Sequence, residues 1–148
     1  MATHDVLHGI GVSAGTAAAP AAIVQPAPGV DTTEPGSVDA AADGARVREA
    51  LAAVSARLSD RAANAPEETK AILKATAQLA GDRGLAKAVD KKLKKGLGVT
   101  QAVHDAVEDY AQMLRSLGGY MAERATDLYD VRDRAICELR GLPEPGVP

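Results

Sequence analysis

The chain has 148 residues, of which 46% are hydrophobic and 25% charged, with a formal net charge of −3. That is enough for one globular domain with its own core, and the charge excludes a nucleic-acid binder that works by neutralising phosphates. Cys137 is the only cysteine, which excludes an internal disulfide or a cysteine-rich metal site. No apolar run approaches the roughly 18 residues of a membrane span, and the N-terminus lacks a basic stretch followed by an apolar one. A cytoplasmic protein without nucleic-acid or membrane partners is the expectation. Aromatic residues make up 2%, all of them Tyr110, Tyr120 and Tyr129. With alanine at roughly a fifth of the chain, a core of Ala, Val and Leu in closely packed helices follows.

Residues 1–24 differ from the rest. The stretch LHGIGVSAGTAAAPAAIV reads as short extended pieces around a turn at Ser13-Ala14-Gly15. A lone hairpin is marginal in water, and nothing downstream offers further strands, so this β-like lead lacks its sheet. Residues 25–36, QPAPGVDTTEPG, form a proline-stiffened linker. The first helix is expected over residues 37–63, with Val47, Leu51, Val54 and Leu58 as its apolar stripe. Gly44 weakens its first turns by about 1 kcal/mol relative to Ala.

Pro66 opens the next helix, with Glu67 and Glu68 opposing the positive end of the helix dipole. Ile72, Ala75, Thr76 and Leu79 make its apolar face. Gly81-Asp82-Arg83-Gly84 interrupts it, and it resumes near Leu85 with Ala88, Val89 and Leu93 inward. Lys91, Lys92, Lys94 and Lys95 then complement the C-terminal dipole and solvate a face. Thr100 is an N-cap type of residue ahead of a stripe formed by Val103, Val107, Tyr110, Leu114 and Leu117. Gly118-Gly119 breaks that helix. A second pattern, Met121, Ala125, Leu128, Val131, Ala135, Ile136 and Leu139, follows at once and stops at Gly141 and Pro143. Helices with so short a link pack as neighbours, antiparallel or across a sharp kink. The fold class is mainly α, with four helices over residues 37–141, the second interrupted, and a proline-rich tail over 142–148.

Catalytic signatures are absent from this pattern. His4, His8 and His104 are isolated from other metal-ligating residues and fit surface or capping roles. Gly9-Ile10-Gly11 does not continue into a nucleotide-binding loop, and Ser13 lacks a nucleophile-elbow frame. Asp127, Asp130 and Asp133 recur at steps of three, where pairing of Asp130 with Arg134 on a solvated face is the stronger reading than metal binding. The residues alone indicate a helical binding module with no catalytic residue and no metal site.

Three segments resemble one family in order along the chain. HGIGVSAGTAAAPAAIV is similar to the first segment of Enzyme I of the bacterial phosphoenolpyruvate:sugar phosphotransferase system. EETKAILKATAQLAGDRGL, residues 67–85, resembles the family's interrupted helix, and YMAERATDLYDVRDRAICELRGL, residues 120–142, resembles its Tyr-x-x-Glu-Arg-x-x-Asp helix. The resemblance implies a four-helix bundle that docks the phosphocarrier protein HPr. It also implies that the β-like lead belongs to a neighbouring phosphohistidine α/β domain. The family's active histidine lies in a Gly-Gly-x-x-Ser-His motif, which does not occur here. The expectation is thus an N-terminal piece of the enzyme, inactive alone. HPr and the remaining Enzyme I domains would be its partners, and magnesium is implied only for the full-length enzyme.

The docking surface that the resemblance implies comprises Glu67, Glu68, Ala71, Ile72, Ala75, Leu79, Asp82, Leu85, Leu114, Leu117, Tyr120, Met121 and Arg124. Ile72, Leu79, Leu85 and Met121 would be anchors, while Glu67, Glu68 and Asp82 would attract a basic surface. Thr76 stands where relatives often carry histidine, and Lys74, Gly81, Arg83 and Gly84 make the surface less negative than theirs. A non-enzymatic helical adaptor or self-associating scaffold is the alternative, with oligomeric state left open.

Overall fold

A computed structural model describes residues 6–146, so His4 and the last two residues of the tail lie outside the described residues. The helices are α1 (Ala40–Ala63), α2 (Glu67–Ala80), α3 (Arg83–Lys94), α4 (Val99–Leu117) and α5 (Gly119–Arg140). Helices α2 and α3 are the two halves of the interrupted second helix, so the architecture is mainly α, a bundle with one broken member. Helix α1 packs on α2, α3 and α5, and α4 packs on α3 and α5.

Local chemistry sets the helix ends. Asp39 starts α1 by accepting the Ala42 N–H at 3.0 Å. The break after α2 is two caps back to back. Gly81 closes α2, and the Asp82 carboxylate accepts the Leu85 N–H at 2.9 Å to open α3. This second cap sets the rotation of α3, turning Leu85, Val89 and Leu93 into the core.

Thr100 is not the N-cap of α4. Gly98 holds that position, and the buried Thr100 lies inside the first turn. The linker supplies the cap instead. Glu34 Oε2 accepts both the Thr100 N–H and its hydroxyl, each at 2.8 Å. The Thr100 hydroxyl oxygen in turn accepts the Asp31 N–H at 3.1 Å. A carboxylate suits the positive end of a helix better than a hydroxyl does. Gly98 leaves room for it, since a Cβ there would stand 3.0 Å from the same oxygen.

Gly118 and Gly119 turn the chain between α4 and α5 with φ of +69° and +52°, a region that side chains with a Cβ disfavour. The two helices run back antiparallel. The Tyr129 hydroxyl donates to Glu108 at 3.2 Å, and the Arg115 guanidinium lies 5.2 Å from the Tyr129 ring. Lys92 pairs with Asp109 at 2.6 Å between α3 and α4, and this bond holds the ammonium above its usual range. The Ser55 hydroxyl donates to the Ala77 carbonyl at 2.8 Å between α1 and α2. Asp130 pairs with Arg134 at 2.8 Å, while Asp127 and Asp133 pair with Arg124 and Arg132.

The core is one cluster. Val47, Val54, Leu58, Leu85, Val89, Leu93, Val103, Val107, Leu128, Val131 and Ile136 are fully buried. Ala102, Ala106 and Ala111 on α4 and Ala125 and Ala135 on α5 are buried in the same cluster. Leu117 departs from its expected stripe. It is the last residue before the turn and is 64% exposed. Gly44 is buried where α3 crosses α1, and a Cβ there would collide with Asp90 Oδ1. That carboxylate pairs with Arg48 at 3.0 Å, so the glycine serves packing as well as loosening the helix. Burial pushes the Cys137 thiol above its ordinary range, and Asp133 and Glu144 add to the shift.

Residues 6–24 form neither helix nor strand and are exposed throughout. The β-like lead therefore finds no sheet here, as two short extended pieces do not hold each other. Among the described residues the single β-bridge joins Gln25 to Gly146. Helix α5 and the other helices contain no stretch long and apolar enough to cross a membrane.

Two stability measurements follow from this anatomy. Glu34→Ala strips the partner from a buried hydroxyl and a first-turn N–H, and should lower the unfolding free energy in urea by about 1–2 kcal/mol. An unchanged midpoint would show that the linker does not cap α4. Leu128→Ala should cost about 2–5 kcal/mol, while Leu117→Ala should stay within about 0.5 kcal/mol.

Candidate functional site

The broken helix and the α4–α5 hairpin leave a cleft between them. It has a volume of about 320 Å³ and is lined by Ala75, Gln78, Leu79 and Asp82 from α2 and its cap, Tyr110 and Leu114 from α4, and Tyr120, Met121 and Arg124 from α5. Its floor is Leu114, 3% exposed, and its open edge is Tyr120 and Met121, 65% and 39% exposed. One turn before Ala75, Ile72 is 55% exposed. One turn beyond Leu114, Leu117 continues the apolar edge, and Met113 on the same helix is also exposed. Large exposed apolar side chains so grouped are uncommon on a surface with no partner.

The structure thus brings together Ala75, Leu79, Asp82, Leu114, Tyr120, Met121 and Arg124 from the residues that the sequence reading named. Ile72, Leu117 and Ala71 are exposed on the flanking turns, and Glu67 and Glu68 are exposed on the first turn of α2. Leu85 is a correction. It is 1% exposed, because the Asp82 cap rotates α3 so that Leu85 faces the core, and it offers nothing to a partner. Gln78, Tyr110 and Met113 were not among the expected surface residues. Gln78 was legible as the polar neighbour of Leu79 on the exposed side of α2. Tyr110 sits four residues before Leu114, on the same stripe as the expected Leu114 and Leu117.

Hydrogen bonding organises the base of the cleft. Asp82 Oδ1 receives the Tyr110 hydroxyl at 3.3 Å as well as the Leu85 N–H. Burial, then the nearby Asp82 charge, raises the Tyr110 phenol above its usual range, so it remains a donor. Gly84 allows this approach, since a Cβ there would stand 2.8 Å from Asp82 Oδ1 and 3.3 Å from the Tyr110 hydroxyl. Arg124 lies under Tyr120, with its guanidinium carbon 5.0 Å from the ring centroid. Its Nη1 is 3.1 Å from Asp127 Oδ2, yet neither Nε nor Nη1 meets hydrogen-bond geometry with a protein group. Both atoms are buried beneath the cleft wall.

The rim is acidic at one end. Glu67 is almost fully exposed and 3.5 Å from Lys70, and Glu68 stands beside it. Thr76 is buried and donates to the Ile72 carbonyl at 3.0 Å within its own helix. The imidazoles are elsewhere. His8 is exposed in the lead, and His104 Nδ1 is 3.1 Å from Asp105 Oδ1 on α4. Among the described residues, no three His, Cys, Asp or Glu side chains converge as metal ligands. A greasy cleft with an acidic rim is equipped to bind a surface.

Known proteins agree in both sequence and shape. The phosphoenolpyruvate-protein phosphotransferase of Streptomyces coelicolor is 40% identical over 110 residues, covering 74% of this chain and 20% of that protein. The protein of the same name from Haloferax volcanii is 33% identical over 89 residues, covering 55% of this chain and 16% of that one. The chain therefore spans about a fifth or less of the length of these relatives. An NMR solution structure of Enzyme I (nEIt) superposes with a TM-score of 0.62 at 28% identity, over 72% of this chain and 47% of that one. The N-terminal domain of Enzyme 1 - Nitrogen gives 0.61 at 28%, over 82% and 60%. With residues 8–124 also matching the family described as PEP-utilising enzyme, N-terminal, the chain belongs to that family and carries the N-terminal helical domain of Enzyme I.

Proposed function

We propose that the cleft docks the phosphocarrier protein HPr, so that Enzyme I can pass a phosphoryl group from phosphoenolpyruvate through its own histidine to a histidine of HPr. The observation that carries this reading is the exposed apolar edge of Ile72, Leu117, Tyr120 and Met121 around a buried floor, with exposed carboxylates at Glu67 and Glu68 on the first turn of α2. Phosphoryl transfer between two imidazoles depends on alignment and charge stabilisation more than on bond-making groups. A rigid module that holds the acceptor protein is then useful by itself. The phosphohistidine and the magnesium-dependent phosphoenolpyruvate site belong, on this reading, to other parts of the enzyme.

The chemistry divides by position. Tyr120 and Met121 present wide apolar area at the edge, the kind of side chain that dominates interface energetics. Arg124, mostly buried beneath the Tyr120 ring and paired with Asp127, holds that ring in place. Glu67 and Glu68 are solvated, so they add little to affinity and act on encounter instead. The lysine at 74 and the neutral Gly81 and Gly84 dilute that negative field, which makes the apolar edge the larger contributor.

Titration of the isotope-labelled cognate HPr with this chain should shift amides confined to one face of HPr. No perturbation at millimolar concentration would end the proposal, and a stable dimer of the chain through the same edge would favour the self-associating scaffold. Tyr120→Ala with Met121→Ala should weaken binding at least about 10-fold while the melting temperature stays put. Glu67→Lys with Glu68→Lys should slow association several-fold and flatten its salt dependence; an unchanged on-rate would remove the steering role. Leu85→Ala should lose about 2–5 kcal/mol of stability, whereas Ile72→Ala should change affinity with stability kept within about 0.5 kcal/mol.

A further inference from the structure

The segments leading into and out of the bundle meet on its surface. Gln25 and Gly146 exchange backbone hydrogen bonds, with Gln25 N–H donating to Gly146 at 2.9 Å and Gly146 N–H to Gln25 at 3.1 Å. Two bonds between solvated strands do not hold chains together by themselves. Something else must hold the outgoing segment in place.

Glu144 does so. Its Oε1 accepts from Arg57 Nε on α1, and its Oε2 accepts from Arg61 Nη2 at 3.0 Å and from Arg134 Nη1 on α5 at 2.8 Å. Charge-assisted bonds of this kind are among the stronger ones a protein forms. The arginines are themselves braced. Arg57 Nη2 donates to Glu138 at 2.8 Å, and Arg134 Nε donates to Asp130 at 2.8 Å. Burial works against the charge on Arg57, but its bonds to Glu138 and Glu144 outweigh this and hold it above its ordinary range. Glu144 lies between Pro143 and Pro145, whose fixed φ angles leave the segment few ways to move once its centre is anchored. Gly146 is two residues beyond.

We propose that Glu144 is a positioning residue, a carboxylate latch that fixes the outgoing segment on α1 and α5 and, through the Gln25–Gly146 bridge, fixes the incoming segment as well. The orientation of the bundle relative to whatever those segments carry is then set at one side chain. Arg140 adds a second contact to the incoming side, donating to the Gly29 carbonyl at 2.9 Å. The latch joins α1 and α5 on the outside of the bundle and shares no residue with the docking cleft. It stands on its own contacts, whether or not HPr is the visitor.

The test is backbone ¹⁵N relaxation on the chain as it is. Wild-type amides at Gln25 and Gly146 should show order parameters near those of the helices, about 0.85. Glu144→Gln keeps the shape and removes the charge, and both amides should fall below about 0.6 while those of α1 and α5 stay unchanged. Glu144→Asp should restore part of the order, as a loss of mere packing would not. A bridge as rigid in Glu144→Gln as in wild type would overturn the proposal, as would mobile Gln25 and Gly146 amides in the wild type.

Discussion

A core without phenylalanine or tryptophan has to be filled by bringing backbones close together. In this chain α4 and α5 make the most extensive contact of any two helices, and Ala102, Ala106, Ala111, Ala125 and Ala135 on them are buried. Small side chains let ridges of valine and leucine interdigitate at short range, and close-packed interiors tolerate few gaps. Much else follows from this closeness. The hairpin needs an abrupt turn, which the two positive-φ glycines supply. None of the three tyrosines is fully buried, Tyr110 and Tyr129 packing against the core from its margin. Tyr129 is placed between Arg115 and Arg132, and Tyr110 and Tyr120 line the cleft. Two of the chain's three aromatic side chains thereby border the cleft.

The polar framework is arranged around the same constraint. Three of the five helix starts use a carboxylate: Asp39 on α1, Asp82 on α3 and, from the greatest distance, Glu34 on the first turn of α4. Asp82 does two jobs. It opens α3 and receives Tyr110, so the elbow of the broken helix and the wall of the cleft share one oxygen. Rigidity at the elbow gives a docking surface a fixed shape, and preorganisation of that kind lowers the entropy lost on association.

Much of this was legible in the residues. The stripe Val47, Leu51, Val54 and Leu58, the break at Gly81–Gly84 and the short link at Gly118-Gly119 all announce themselves by period or punctuation. What escaped did so for physical reasons. Thr100 looks like a cap because capping signals are local, whereas its carboxylate arrives from 66 residues away. Leu85 and Ile72 occupy equally good stripes, and period alone does not say which stripe faces the core. The rotation imposed by a cap decides it. Leu117 continues its stripe on paper, but its helix ends before it has a neighbour to cover it. Glu144 sits in a proline-rich tail that carries no periodicity at all, and only the folded arrangement of three arginines gives it meaning.

The glycine at position 44 has a consequence for inheritance. Because a methyl group there would stand where an Asp90 oxygen now lies, alanine at 44 requires that carboxylate to swing aside. A descendant that acquired it would gain helix propensity and have to re-form the Asp90–Arg48 tie between α1 and α3 in a shifted geometry. Among divergent relatives, a side chain at the first site should accompany a shorter or uncharged one at the second, so that a contact between helices is recorded as covariation.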